Sequence, residues 1–232
     1  MKNSKLLKIS TSILGCFAIV SLGNYCYNAQ VNYTTNNMDN VIVEENEPII
    51  FTEVSSYDTL YDFSNSKILA EHSDLVVIGK ITNIGTPTNF NPITKKYGKA
   101  RTPVEIETVK VIKNDSAVSS NKIEFLDAGG LISYEDYEKS LLPAQKAKRD
   151  YLMQQNGLLT ASTKSNIFVK QSVDKQLELK EDNTYIMYLE YNEDFGKYMV
   201  VSQPYGIKKY NINSGKILNH VTNTVETLEE MM

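Results

Sequence analysis

The chain has 232 residues, a formal net charge of −4 and two cysteines, and it is long enough to bury a core without disulfides or a metal. Lys2, Lys5 and Lys8 are the only charges in residues 1–29, which leaves the remainder at −7 and excludes a general polyanion binder, because phosphate neutralisation needs clustered positive charge. Cys16 and Cys26 both lie in the first 29 residues, so nothing downstream can form an internal disulfide, a zinc–thiolate site or a cysteine nucleophile.

The three lysines precede an apolar run from Ile9 to Leu22, and no acidic residue occurs before Asp39. A basic start followed by a short apolar core is the pattern of an export signal, and the run is short of the ~20 residues that span a bilayer. Three fates stay open. Ala29 is a cleavage position, although Tyr27 stands where a small residue is usual. Ile13-Leu14-Gly15-Cys16 resembles a lipobox that would lipidate Cys16, although Phe17-Ala18-Ile19-Val20 extends the apolar run past it. The segment can also be retained as an N-terminal anchor helix. Each route places the body outside the cytoplasm, secreted or held on the outer face of the membrane.

Residues 30–63 have no Lys or Arg and seven acids, the composition of an acidic stalk or linker. Within it Val41-Ile42-Val43 and Pro48-Ile49-Ile50-Phe51 are apolar enough to dock as an extra strand. The domain proper is expected over 64–232. A short helix capped by Ser64 or Ser66 runs through Lys67-Ile68-Leu69-Ala70-Glu71. The run Asp74-Leu75-Val76-Val77-Ile78-Gly79-Lys80-Ile81-Thr82 is apolar on both faces in its first half and reads as a central strand, with Gly79 marking a bulge or bend. In Val104–Ile112 the alternation changes parity after Glu107. One extra residue near Glu107–Thr108 would return Val109 and Val111 to the buried face. A short strand, Lys122–Leu126, ends at Gly129-Gly130. A helical insertion, about 133–157, is broken by Pro143 and closed by Gly157. A weak strand at Ile167-Phe168-Val169 follows, then strands over Tyr185–Tyr191 and Tyr198–Ser202, joined by Asn192-Glu193-Asp194-Phe195-Gly196. Tyr210-Asn211-Ile212 and Lys216-Ile217-Leu218 form a hairpin. The C-terminus reads as a helix from about Thr224, with Asn223 and Glu226 as a capping pair.

The order is a helix, three strands, a helical insertion and two strands. With two bulged strands that bend, it fits a mainly β protein built on a small OB-like five-stranded β-barrel, the insertion lying between strands 3 and 4. Ser73-Asp74-Leu75-Val76-Val77-Ile78-Gly79-Lys80-Ile81, the strand ending Val111-Ile112-Lys113-Asn114, the Gly-Gly stop, and Leu179-Lys180-Glu181-Asp182-Asn183-Thr184-Tyr185-Ile186-Met187-Tyr188-Leu189 together resemble the netrin-like domains. The tissue inhibitors of metalloproteinases are members of that group. The stretch 66–204 is also similar to exported proteins of low-GC Gram-positive bacteria. The resemblance implies a fold and no activity. Those inhibitors act through an N-terminal cysteine and are stapled by disulfides, and this body has no cysteine.

The search for chemistry is mostly negative. His72 and His220 are the only imidazoles, far apart in sequence and without cysteine partners, which argues against a catalytic zinc site. No Gly-x-Ser-x-Gly elbow occurs. Glu105/Glu107 and Asp182/Glu190 read as solvated strand faces, and Asn192-Glu193-Asp194 lacks the spacing of a calcium loop. No cofactor is implied. The one cluster with recognition character is residues 85–101, where Phe90, Lys95, Lys96, Tyr97, Lys99 and Arg101 set positive charge beside aromatic rings on an acidic protein. The plain alternative is a flexible solvated loop. In OB-folds this loop binds oligonucleotides or oligosaccharides. Outside a cell, an anionic envelope polymer or an extracytoplasmic protein is the better partner than nucleic acid. The expectation is therefore a noncatalytic exported binding module. The rivals are an extracytoplasmic hydrolase using carboxylates and a membrane-tethered structural or sensory component.

Overall fold

The computed structural model describes residues 29–32, 48–57, 59–115, 120–155 and 166–231. Residues 1–28 of the export segment, Cys16 among them, and Val41-Ile42-Val43 lie outside the described residues. The protein is mainly β.

Five strands carry the main core: β3 (Leu75–Ile84), β5 (Lys96–Asn114), β6 (Lys122–Ala128), β9 (Thr184–Asn192) and β10 (Lys197–Val200). β3 pairs antiparallel with β5 and β9, β5 pairs antiparallel with β6, and β10 pairs parallel with β6 and antiparallel with β9. Each of the five thus has two hydrogen-bonded neighbours within the set, and the path of pairings returns to its start. Their enclosed side chains, among them Leu75, Val77, Ile81, Ile106, Phe125, Tyr185, Met187 and Leu189, are buried together. The alternate residues of β3 and β9, namely Val76, Ile78, Ile186 and Tyr188, form a second core with Leu69, Phe63, Val201 and Ile217. Leu69 belongs to helix α1 (Ser66–Glu71), and Ile217 to a hairpin of β11 (Ile207–Asn211) and β12 (Lys216–Asn219). This double cover is why β3 is apolar on both faces, as a strand buried on both sides must be.

β3 and β5 pair with register shifts at Val76/Val77, Ile78/Gly79 and Ile81/Asn83, so the pairing is irregular at Gly79, with the extra residue on β5. A Cβ at Gly79 would lie 2.7 Å from Ile106 Cδ1 and 3.1 Å from Met187 Cε, so the absence of a side chain there is a packing requirement. Val109 is the extra residue beside Thr108, yet Val109 and Val111 are exposed, contrary to expectation. The β5–β6 pairing stops at Glu107↔Lys122, so the end of β5 lacks the second neighbour that would cover them. Ile112, skipped at the next shift, packs instead against the second core.

The insertion holds more than helix. Gly129 (φ 81°) and Gly130 (φ 136°) turn the chain out of β6 into β7 (Gly130–Ser133), and a Cβ at Gly129 would meet the Gln171 carbonyl oxygen at 2.3 Å. Helices α2 (Tyr134–Ser140) and α3 (Pro143–Gln155) follow, α2 capped by Ser133 Oγ accepting from the Asp136 amide. The weak strand is β8 (Ile167–Val173). It is central to a four-stranded sheet in the order β1 (Ala29–Asn32), β2 (Ile49–Tyr57), β8, β7. Of the two readings of Pro48–Phe51, the docked strand is the one observed: β2 pairs parallel with β8 along Ile49–Ser55. Ile132, Tyr134, Tyr137, Met153, Ile167 and Val169 make a third core, against Ala100 of β5.

Two end assignments are corrected. Asn65, not Ser64 or Ser66, caps α1, its side chain accepting from the Lys67 amide. The C-terminus is not helical from Thr224. Thr224–Thr227 is strand β13, paired with β12, and helix α4 covers only Leu228–Met231. Asn223 sits at φ 57°, a left-handed turn conformation and not the extended one of an N-cap, and the free edge of β12 satisfies the backbone that follows.

This edge is bolted to α1 by a buried charge. Lys208 of β11 is fully buried, and its Nζ donates to Ser66 Oγ at 2.6 Å and to both carboxylate oxygens of Glu226 at 3.0 Å. The Ser66 hydroxyl in turn donates to Glu226, and the Tyr188 ring lies 5.9 Å from the ammonium. Burial holds the Lys208 pKa below its ordinary value, opposed by the Glu226 contact.

Candidate functional site

The expected loop at 85–101 is an ordered hairpin. β4 (Thr88–Asn91) pairs with the first third of β5, setting Phe90 opposite Tyr97, Asn91 opposite Lys96 and Thr88 opposite Arg101. Its turn is built by Asn91, whose Oδ1 accepts from the amides of Ile93 (2.9 Å) and Thr94 (3.1 Å), with Lys95 in the left-handed conformation (φ 58°). Asn89 and Asn91 point inward and are buried. Asn89 Nδ2 donates to the Asp136 carbonyl of α2 at 2.7 Å, and Asn91 Nδ2 donates to the Asp194 carbonyl at 2.9 Å. The second bond ties the hairpin to the turn between β9 and β10. There Asn192 accepts from Phe195 and Gly196 takes φ 61°. The tips also meet through Ile93, whose Cδ1 lies 3.0 Å from where a Gly196 Cβ would stand.

Between the two tips is a cleft of about 230 Å³, lined by Asn89, Asn91, Thr94, Lys96, Tyr97, Lys99, Arg101 and Phe195. Four of the six residues singled out by sequence therefore come together on it: Lys96, Tyr97, Lys99 and Arg101. Phe90 does not line it, but its ring packs 5.0 Å from that of Tyr97. Lys95 stands at the turn apex, and among the described residues neither Lys95 nor Lys96 has an acidic partner. Lys99 Nζ donates to Ser55 Oγ of β2 at 2.9 Å. Lys139 of α2 lies over the Tyr97 ring at 5.4 Å and is paired with Asp136 at 2.9 Å.

The four-stranded sheet braces this wall from behind. Gln171 Oε1 accepts from the Ala100 amide at 2.7 Å, while its Nε2 donates to the buried Glu53 carboxylate at 2.8 Å. Asn89, Asn91 and Phe195 escaped the sequence reading. Asn-x-Asn inside a strand was the available signal, because two buried polar residues on one face mark a surface that does not face a dry core.

The other candidates lie elsewhere. His72 ends α1 and stacks against Tyr61 (4.3 Å) and Phe63 (5.5 Å). The partly buried His220 bonds through Nε2 to the Lys175 carbonyl at 2.9 Å, and burial lowers its pKa. Asp182 pairs with Lys80 at 2.7 Å. Glu190 is pushed up by burial and by Asp74. Among the described residues no three His, Cys, Asp or Glu side chains gather as metal ligands, and no helix is long and apolar enough to cross a membrane. Comparison with protein-family models, with curated proteins and with solved structures found no match.

Proposed function

We propose that this chain is an exported, noncatalytic binding module whose body is an OB-like five-stranded barrel and whose cleft grips an anionic polymer of the cell envelope. Two features support the barrel: the closed circuit of pairings, and the parallel contact between its third strand, β6, and its fifth, β10. In that assignment the cleft lies between the connection of strands one and two and the connection of strands four and five. OB-folds hold oligosaccharides and oligonucleotides at this place. The observation that carries the reading is the meeting of these two tips over Lys96, Lys99, Arg101, Tyr97 and Phe195. Cations meet repeated negative charge, and aromatic rings supply flat apolar surface for the units between.

The test is titration of a fluorescent poly(glycerol phosphate) oligomer, with neutral dextran as control. Reversing Lys95, Lys96 and Lys99 to Glu should weaken binding more than tenfold, the more so at low salt, where charge pairs are least screened. Unchanged binding by a variant that still melts cooperatively would remove the cleft from the argument.

A further inference from the structure

Two turns stand side by side with charges of opposite sign. The turn of the β4–β5 hairpin carries Lys95 and Lys96, and the turn between β9 and β10 carries Glu193 and Asp194. All four side chains are exposed, and among the described residues none of them has an ion-pair partner within the chain. The charges close by in sequence or on the neighbouring helix are paired instead: Lys197 with Glu124, and Lys139 with Asp136. The hydrogen bond from Asn91 Nδ2 to the Asp194 carbonyl, 2.9 Å, holds the two turns together. Apolar side chains occupy their junction. Ile93 is 55 % exposed and Tyr191 48 %. They are neighbours, because the Ile93 Cδ1 and the Tyr191 hydroxyl lie 3.0 Å and 3.9 Å from one point, the place a Gly196 Cβ would take.

A patch with two cations at one side, two anions at the other and apolar side chains at the junction is complementary to itself. A two-fold axis in the plane of the patch, set across the line from lysines to acids, lays the lysine turn of one copy on the acidic turn of the other. The same operation places Ile93 and Tyr191 against their own counterparts. A polyanion on this patch would be repelled by Glu193 and Asp194, and a polycation by Lys95 and Lys96. A second copy carries both signs at the matching spacing by construction. We propose that these paired turns are the contact through which two copies of the chain associate. A standard interface uses about 20–30 residues a side, more than two turns supply, so the pair is weak and sensitive to salt. The inference goes beyond the polyanion cleft and does not rest on it. Lys96 also lines the cleft, but Lys95, Glu193 and Asp194 do not.

The experiment is sedimentation equilibrium of the full chain in density-matched detergent, up to about 100 µM, where a weak dimer is populated. The wild type should dimerise, and salt should dissociate it. Lys95→Glu/Lys96→Glu and Glu193→Lys/Asp194→Lys should each associate roughly fivefold more weakly alone. Mixed in equal amounts they should recover the wild-type association, because the mixture restores both charge contacts. In the wild type, a carbodiimide that joins ammonium to carboxylate should link Lys95 or Lys96 of an isotope-labelled copy to Glu193 or Asp194 of an unlabelled one. Should a variant fail to fold, the salt response and the cross-link positions in the wild type decide. A wild type that stays monomeric, folded variants that associate as tightly as it does, a mixture of folded variants that does not recover, or cross-links between copies confined to other residues overturns the proposal. None of these outcomes bears on the anion site, which the poly(glycerol phosphate) titration decides by itself.

Discussion

Replacing Lys208 by Met tests whether a charge sealed in the second core holds the C-terminal hairpin in place. The substitution keeps the volume and the apolar stem, so the lost quantity is the head group. That head donates to Ser66 Oγ at 2.6 Å and to Glu226 at two distances of 3.0 Å. Removing one member of a buried pair costs about 3–5 kcal/mol, chiefly because the other charge is stranded. The Glu226 side chain is 19 % exposed and keeps the Ser66 hydroxyl, so the lower end applies, about 3 kcal/mol. Urea unfolding should show a lower midpoint with unchanged slope, since the surface exposed on unfolding is the same. The double variant Lys208→Met/Glu226→Leu should recover most of the loss, because no charge is then left behind. A single variant within about 0.5 kcal/mol of wild type, or a double variant less stable than Lys208→Met, would refute the reasoning.

The remaining expectations are briefer. Burial raises the Asp127 pKa on folding, from 3.8 to about 6, so its stabilising contribution is complete below the unfolded value and is lost as pH rises through about 6. The stability of Asp127→Asn relative to wild type should therefore rise by roughly 2–3 kcal/mol between about pH 4 and neutrality, on top of a constant loss from setting an amide N–H against the Gln176 donor; urea midpoints across that range check it. Gly79→Ala forces a methyl to 2.7 Å from Ile106 Cδ1 and should cost about 1–3 kcal/mol, with part restored by Ile106→Val, as measured by thermal melts.

How much was legible depended on whether a signal was local. The Leu75–Ile78 run announces a strand covered on both sides, and Gly79 within it announces an irregularity, because both are properties of a single segment; that the glycine also makes room for Ile106 and Met187 is set by other strands. The hairpin of β4 and β5 was less visible. Its strand residues are polar, and what makes Asn89 and Asn91 structural is a pair of carbonyls at Asp136 and Asp194, far away in the chain. The C-terminal turn misled for the same reason. Asn223 with Glu226 is a fair helix start taken alone, but the edge of β12 offered the backbone a partner and the carboxylate was already engaged with Lys208.

What the amino-acid order determined unaided was the strand-rich character, the main strands and the concentration of cations and rings over residues 90–101, since these follow from side-chain periodicity and local charge. Only the folded chain decided that β10 would pair with both β6 and β9, that residues 49–57 would join β8, and that Phe195 and Tyr97 would line one cleft. Each of those contacts is made between segments distant in sequence, and its strength comes from burial and hydrogen bonds that exist only after both partners have arrived.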